Sequence, residues 1–267
     1  MKKIFIPILK IVAIVYICLC SLLYFIQEKL IFYPERLAVN YKFEFKQPFE
    51  ELYFKTADNK SLNGILFKAD SSKGLIFYLH GNAGSLRSWG EIAKTYTDMH
   101  YDLFMLDYRG YGKSEGNITG EKQIYDDVQL VYDHLKTKYN EANIIILGYS
   151  IGTGPAAKLA SGSHAKLLIL QAPYYNLTDM MKHIYPILPA FLLKYKFETN
   201  KFLQDCKMPV IIFHGDEDKV IYYGSSQKLK ALFKISDTLI TLQGQGHNGM
   251  SSDPTYLSEL KKILGKY

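Results

Sequence analysis

Cysteine and arginine are both scarce in this chain, and no segment repeats. Three cysteines, Cys18, Cys20 and Cys206, cannot lay out a disulfide framework or a Cys-based metal site. Only Arg36, Arg87 and Arg109 stand among 32 basic residues. Guanidinium forks are the usual tool for reading bases and phosphates, so nucleic acid is not a predicted partner. The absence of any period of about 20–50 residues argues against a solenoid. No His, Asp and Glu spacing suggests a metal site, and no G-x-G-x-x-G or G-x-x-x-x-G-K-[ST] follows a strand-like run. No metal, cofactor or obligate protein partner is predicted.

What remains is an ordinary globular composition. Of 267 residues, 48% are apolar and 22% charged, which suits one large α/β domain. The formal charge is +6. Half of it sits in residues 1–39, where Lys2, Lys3, Lys10, Lys29 and Arg36 face only Glu28 and Glu35.

Residues 4–26 are almost wholly apolar, broken by Pro7, Lys10 and Ser21. As a helix they would span roughly 34 Å, enough for a hydrocarbon core of about 30 Å. Tyr24, Phe25, Phe32 and Tyr33 could form an interfacial belt. The run is longer than the h-region of a cleavable signal peptide, and no A-x-A-like site follows it. Residues 1–27 are therefore predicted to be a retained single-pass membrane anchor. Its basic start places the amino end in the cytoplasm and the globular part outside.

Residues 28–50 look like a stalk, and residues 51–267 like the folded domain. Runs at 52–56 and 62–68 flank a turn at Asp58-Asn59-Lys60 and predict an antiparallel pair. Apolar strands then alternate with helical patterns to the end of the chain. Continuous strand cores between helices imply a mostly parallel sheet covered on both faces, with chemistry at the carboxyl ends of its strands. One connection, residues 174–208, is too long for a simple crossover. It reads either as a lid insertion or as an ordinary packed helix pair.

The central signal is Gly148-Tyr149-Ser150-Ile151-Gly152, between a strand at 144–147 and a helix from 151. A nucleophile on a sharp strand-to-helix turn needs minimal side chains two residues either side, which Gly148 and Gly152 supply. The alternative is a glycine-rich helix start with Ser150 as a cap. Serine needs a base, and His247 lies in a glycine-flanked loop after the last predicted strand. The base needs an acid. Asp216, Glu217 and Asp218 crowd the loop after the strand at 210–213. An oxyanion hole needs backbone N–H groups. Ile151 follows the nucleophile, and the loop His80-Gly81-Asn82-Ala83-Gly84 follows an early strand.

Taken along the chain, His80-Gly81-Asn82, then Asp107-Tyr108-Arg109-Gly110-Tyr111-Gly112-Lys113-Ser114, then Gly148–Gly152, then His214–Asp218, then Gly246-His247, the motifs resemble the α/β-hydrolase superfamily. The apolar N-terminus followed by Gln27-Glu28-Lys29-Leu30-Ile31-Phe32-Tyr33-Pro34 is similar to its membrane-anchored, serine-aminopeptidase-like branch. The resemblance implies an α/β-hydrolase fold with a small helical lid. It implies Ser150 as nucleophile, His247 as base, Asp218 rather than Asp216 as acid, and the N–H groups of Asn82 and Ile151 as oxyanion donors. It casts Arg109 as a loop brace.

The predicted activity is serine hydrolysis of an acyl ester or thioester, on a lipid or other acylated substrate presented at the membrane. Two alternatives stand beside it. One is a peptidase or aminopeptidase on the same three residues, for which Asp179 and Glu198 are the candidate carboxylates for a substrate amine. The other is a non-catalytic membrane-tethered scaffold.

Overall fold

The strand-like runs pair as one twisted sheet whose order explains where the loops meet. The computed structural model describes residues 2–267, with side chains from residue 6 onward. Its strands are β1 (Tyr33–Pro34), β2 (Phe49–Lys55), β3 (Ser61–Phe67), β4 (Leu75–Leu79), β5 (Ala83–Gly84), β6 (Asp102–Leu106), β7 (Ile144–Tyr149), β8 (Leu167–Gln171), β9 (Val210–Gly215) and β10 (Thr238–Leu242). Eight of them form a sheet in the order β10-β9-β8-β7-β4-β6-β3-β2. β2 and β3 are antiparallel to each other, as the turn at Asp58-Asn59-Lys60 predicts, and β3 is antiparallel to β6. All remaining neighbours are parallel.

The central strands are buried on both faces. Alternate residues feed two cores, as a period of two requires. Phe77, Phe104, Ile146 and Leu168 face one way, where they share a core with α4 (Glu121–Leu135) and α5 (Thr153–Ser161). Ile76, Met105, Ile145 and Ile169 face the other, against α3 (Ala93–Thr97) and α9 (Pro254–Lys266). Ile124, Val128, Val131 and Leu135, which stand at helical spacing in the sequence, form the buried stripe of α4. Residues 86–97, whose pattern after the glycine-rich loop predicts one helix, are instead broken into α2 (Leu86–Trp89), a 3₁₀ turn and α3.

Two segments differ from the sequence expectation. Residues 28–50 are not a free-standing stalk. β1 pairs with β5, Leu37 donates to the Gly112 carbonyl at 2.9 Å, and Phe32 and Phe43 are buried in the two cores. The cause is non-local: β1 is two residues long and its partner lies fifty residues on. The long connection between β8 and β9 divides into an exposed apolar stretch and a packed helix. It holds α6 (Leu177–Ile184), a 3₁₀ turn at Ala190–Leu192 and α7 (Thr199–Asp205). α7 buries Leu203 in the domain core, whereas Ile184, Tyr185, Ile187 and Phe191 are exposed.

The N-terminal α1 (Lys2–Ile31) is a single helix. Its residues Ile6–Ile31 are long and apolar enough to cross a membrane. α8 (Gly224–Lys230) completes the helices.

Candidate active site

Four parallel strands deliver four loops to one edge of the sheet. Residues 80–84 follow β4, Ser150 follows β7, residues 216–223 follow β9, and residues 243–249 follow β10. Because these strands run the same way, their carboxyl ends share a rim, where ligands bind in open α/β sheets.

Ser150 sits on a strained turn. Its φ is 53°, in the left-handed region that a non-glycine residue rarely adopts. Close packing makes both flanking glycines obligatory. A Cβ on Gly152 would lie 2.1 Å from the Leu79 carbonyl oxygen, and one on Gly148 would lie 2.6 Å from the Gly152 oxygen. The turn opens into a 3₁₀ segment and then α5, and Thr153 Oγ1 donates to the Ser150 carbonyl at 2.6 Å.

His247 Nε2 lies 3.0 Å from Ser150 Oγ, and His247 Nδ1 lies 2.7 Å from Asp218 Oδ2. A carboxylate accepts, so Nδ1 carries the proton and Nε2 is free to accept from the serine hydroxyl. Tyr149, the residue before the serine, holds the imidazole's own backbone: its hydroxyl donates to the His247 carbonyl at 2.7 Å. Burial and the nearby Asp218 charge push the Tyr149 phenol well above its ordinary range, which keeps it a donor.

Asp218 is buried and saturated with donors. Its Oδ1 accepts from the N–H groups of Val220 and Ile221 at 2.8 and 2.9 Å. Its Oδ2 receives His247, and His214 Nε2 approaches it at 3.2 Å. Burial alone would favour the protonated acid. Hydrogen bonds from His214 and His247 outweigh it and hold the carboxyl well below the usual carboxylate range. The neighbouring carboxylates do other things: Asp216 accepts from the Gly244 N–H at 2.7 Å, and Glu217 is exposed.

His214 itself is fully buried between Ser226 Oγ at 2.6 Å and the Ile221 carbonyl at 2.9 Å. The carbonyl can only accept, so Nε2 bears the hydrogen that also faces Asp218. In the sequence, the position of His214 after a strand-like run and just before a glycine predicts only a structural hydrogen-bond role. Its place immediately before Gly215, two residues from the carboxylate cluster, was the available signal.

The Ile151 N–H lies at the start of the turn, and its carbonyl is tied back by Tyr174 Oη at 3.0 Å. The Asn82 loop is fixed from several sides. His80 Nδ1 donates to the Gly81 carbonyl at 2.7 Å. In a trans peptide the Asn82 N–H then points away from that imidazole. The Asn82 carbonyl accepts from the Tyr33 N–H at 2.8 Å and from Tyr111 Oη at 2.7 Å, while Asn82 Nδ2 donates to the Ile31 carbonyl at 3.1 Å. The end of α1 is thus bonded directly to this loop. Arg109 forks onto Asp127 (Nε at 2.6 Å, Nη2 at 2.9 Å) and onto Asp58. These pairs raise its already high pKa further and make it a brace between loops.

Asp179 and Glu198 hydrogen-bond to none of Ser150, His247 and Asp218 and form ion pairs of their own. Asp179 binds Lys228 at 2.6 Å and also accepts from Tyr222, and Glu198 binds Lys201 at 2.8 Å.

The arrangement presents a hydroxyl, an imidazole and a carboxylate in hydrogen-bonded sequence, which suits acyl transfer. The family profile described as "Serine aminopeptidase, S33" matches residues 70–204. The human alpha/beta hydrolase domain-containing protein 17B is 30% identical over 202 residues, spanning 73% of this chain and 68% of its own length. This chain belongs to the α/β-hydrolase superfamily. The mouse protein 17C is 28% identical over 222 residues, covering 80% of this chain and 67% of itself. An esterase of Pyrococcus furiosus superposes with a TM-score of 0.66 at 20% identity, over 88% of this chain and 96% of that one. An α/β-hydrolase of Vibrio vulnificus gives 0.68 at 21%, over 82% and 81%. Membership makes the chain a hydrolase. The profile match ends before Asp218 and His247, whose arrangement is read from geometry alone.

Proposed function

We propose that this hydrolase cleaves acyl esters or thioesters at a membrane through a covalent intermediate on Ser150. The observation that carries the reading is the unbroken line from Ser150 Oγ through His247 to Asp218 Oδ2, at 3.0 and 2.7 Å. Ser150 Oγ attacks the substrate carbonyl carbon as His247 Nε2 takes its proton. The tetrahedral oxyanion is held by the N–H groups of Ile151 and Asn82. The imidazolium returns the proton to the departing alcohol or thiol. Water then repeats the sequence and releases the acid, while Asp218 keeps His247 in one tautomer and stabilises its cation.

Ester or thioester chemistry is preferred over an aminopeptidase because Asp179 and Glu198 are each already neutralised by a lysine. A substrate ammonium would have to displace Lys228 or Lys201. The apolar lid edge and α1 support an acyl substrate, with α1 as a single-pass anchor and the domain on the extracytoplasmic side.

Ser150→Ala should lower turnover of a p-nitrophenyl ester by roughly 10⁴–10⁶ and abolish labelling by a fluorophosphonate probe. Equal turnover by wild type and variant would sink the assignment. An acyl-length scan run against aminoacyl amides separates the ester reading from the peptidase one.

A further inference from the structure

The lid edge exposes what the rest of the domain does not. Ile184, Tyr185, Ile187 and Phe191 are all exposed within eight residues, Phe191 to 81%. Exposed large apolar side chains elsewhere on the hydrolase body, such as Tyr53, Leu130 and Ile235, stand singly. A contiguous apolar face marks a site of contact.

This edge lies against α1. Tyr16 Oη donates to the Ile187 carbonyl at 2.6 Å. Tyr16 precedes Ile31 by fifteen residues, so the contact is about 22 Å up the helix from its carboxyl end. Neither partner carries charge there: residues 11–26 and 184–193 contain no Asp, Glu, Lys or Arg. Charged groups of this contact gather at the foot. Gln27 Nε2 donates to the Leu192 carbonyl at 3.0 Å, the Lys194 N–H donates to Gln27 Oε1 at 2.8 Å, and Lys194 Nζ pairs with Glu28 at 3.1 Å. Between lid and helix is a cavity of about 400 Å³, walled by Ile17, Cys20, Tyr24 and Phe25 on one side and Pro189 and Leu192 on the other. That volume suits a small-molecule ligand. A polar latch beneath an uncharged cleft is the pattern of a membrane interface, with the cleft on the hydrocarbon side.

We infer that the lid edge is embedded in the bilayer beside α1, and that the cleft between them holds one acyl chain of a bilayer lipid. The inference rests on the reading of α1 as an anchor and of Ser150 as nucleophile. A helix spanning the membrane carries Tyr16 into the hydrocarbon, and the bonded lid must go with it. The apolar chain enters the cleft sideways, without crossing water, and the foot of α1 beneath the cleft is tied to the loop at the rim by the Asn82 Nδ2 to Ile31 carbonyl bond.

The test uses the full chain in phosphatidylcholine vesicles. Trp89 is the single native tryptophan and sits beside the rim, so it serves as the reference. In the F191W variant, lipids brominated along their acyl chains should quench the added emission about twofold more than that of wild type. S21W places an indole in the cleft from an exposed position of α1. It should lower turnover of p-nitrophenyl palmitate about tenfold, the loss of roughly two buried methylenes, and leave p-nitrophenyl acetate unchanged. Quenching of F191W no greater than that of Trp89 overturns the embedded lid. An unchanged chain-length profile in S21W overturns the acyl cleft. Neither result touches the hydrolase reading, which fails only if acetate turnover itself survives Ser150→Ala.

Discussion

The rim and the lid edge sit on the same domain and are built by opposite rules. At the rim, backbone sterics and saturated hydrogen bonding leave one geometry: Gly148 and Gly152 admit no Cβ, and both Asp218 oxygens are filled. At the lid edge the side chains face outward, and a few polar bonds at the foot hold the segment to α1. The rim is specified by what it excludes, and the lid by the medium that covers it. Substitutions should therefore act steeply and on chemistry at the rim, and gently and on chain-length preference at the lid.

After loss of the nucleophile, the steepest expected effect belongs to Asp218→Asn. An amide at this position accepts poorly from His247 Nδ1 and can impose the wrong tautomer, so kcat should fall about 10⁴-fold with little change in KM. The same substitution has a stability signature. The Asp218 carboxyl is depressed in the native state, so its contribution is complete above its unfolded value of about 3.9 and disappears as pH falls through the native value. Acid-unfolding curves of wild type and variant should converge at low pH and separate near neutrality. Parallel curves would mean that His214 and His247 do not hold the charge.

Next in size is Gly152→Ala. The added methyl meets the Leu79 carbonyl oxygen, a backbone atom that cannot rotate away. The cost should be about 3 kcal/mol, lowering Tm by roughly 6–12 °C. A matched Ser-to-Ala change at exposed Ser21 should leave Tm within about 1 °C. If Gly152→Ala is tolerated as well, the rim is more plastic than its packing indicates.

This contrast also decides what could be read from sequence. The Ser150 turn was legible because its steric demand is local: five consecutive residues carry it. The sheet was legible because its buried strands are continuous apolar runs. Asp218 could be separated from Asp216 and Glu217 only by resemblance, since nothing in their spacing shows which carboxylate turns inward to His214. The integration of residues 28–50 was hidden because a two-residue strand has no period, and its tie to Asn82 joins positions fifty residues apart. The lid was ambiguous for a physical reason. α7 packs into the core while residues 184–193 do not, so one apolar stretch serves both expectations.

The smallest effect should come from the latch at the foot of α1. Glu28 pairs with Lys194 at 3.1 Å and accepts from Tyr195 at 3.2 Å, with both charged side chains a quarter exposed. Partial solvation limits such a pair to about 0.5–1 kcal/mol. A double-mutant cycle of Glu28→Gln and Lys194→Met should return a coupling of that size, read as a two- to fivefold rise in proteolytic nicking of the lid in either single variant. Turnover of a short ester should hold steady, because neither side chain bonds to Ser150, His247 or Asp218. Should the short ester lose activity in step with lid nicking, the latch would be acting on the oxyanion loop through Ile31 and Asn82. Rim and lid would then be one mechanical unit rather than two.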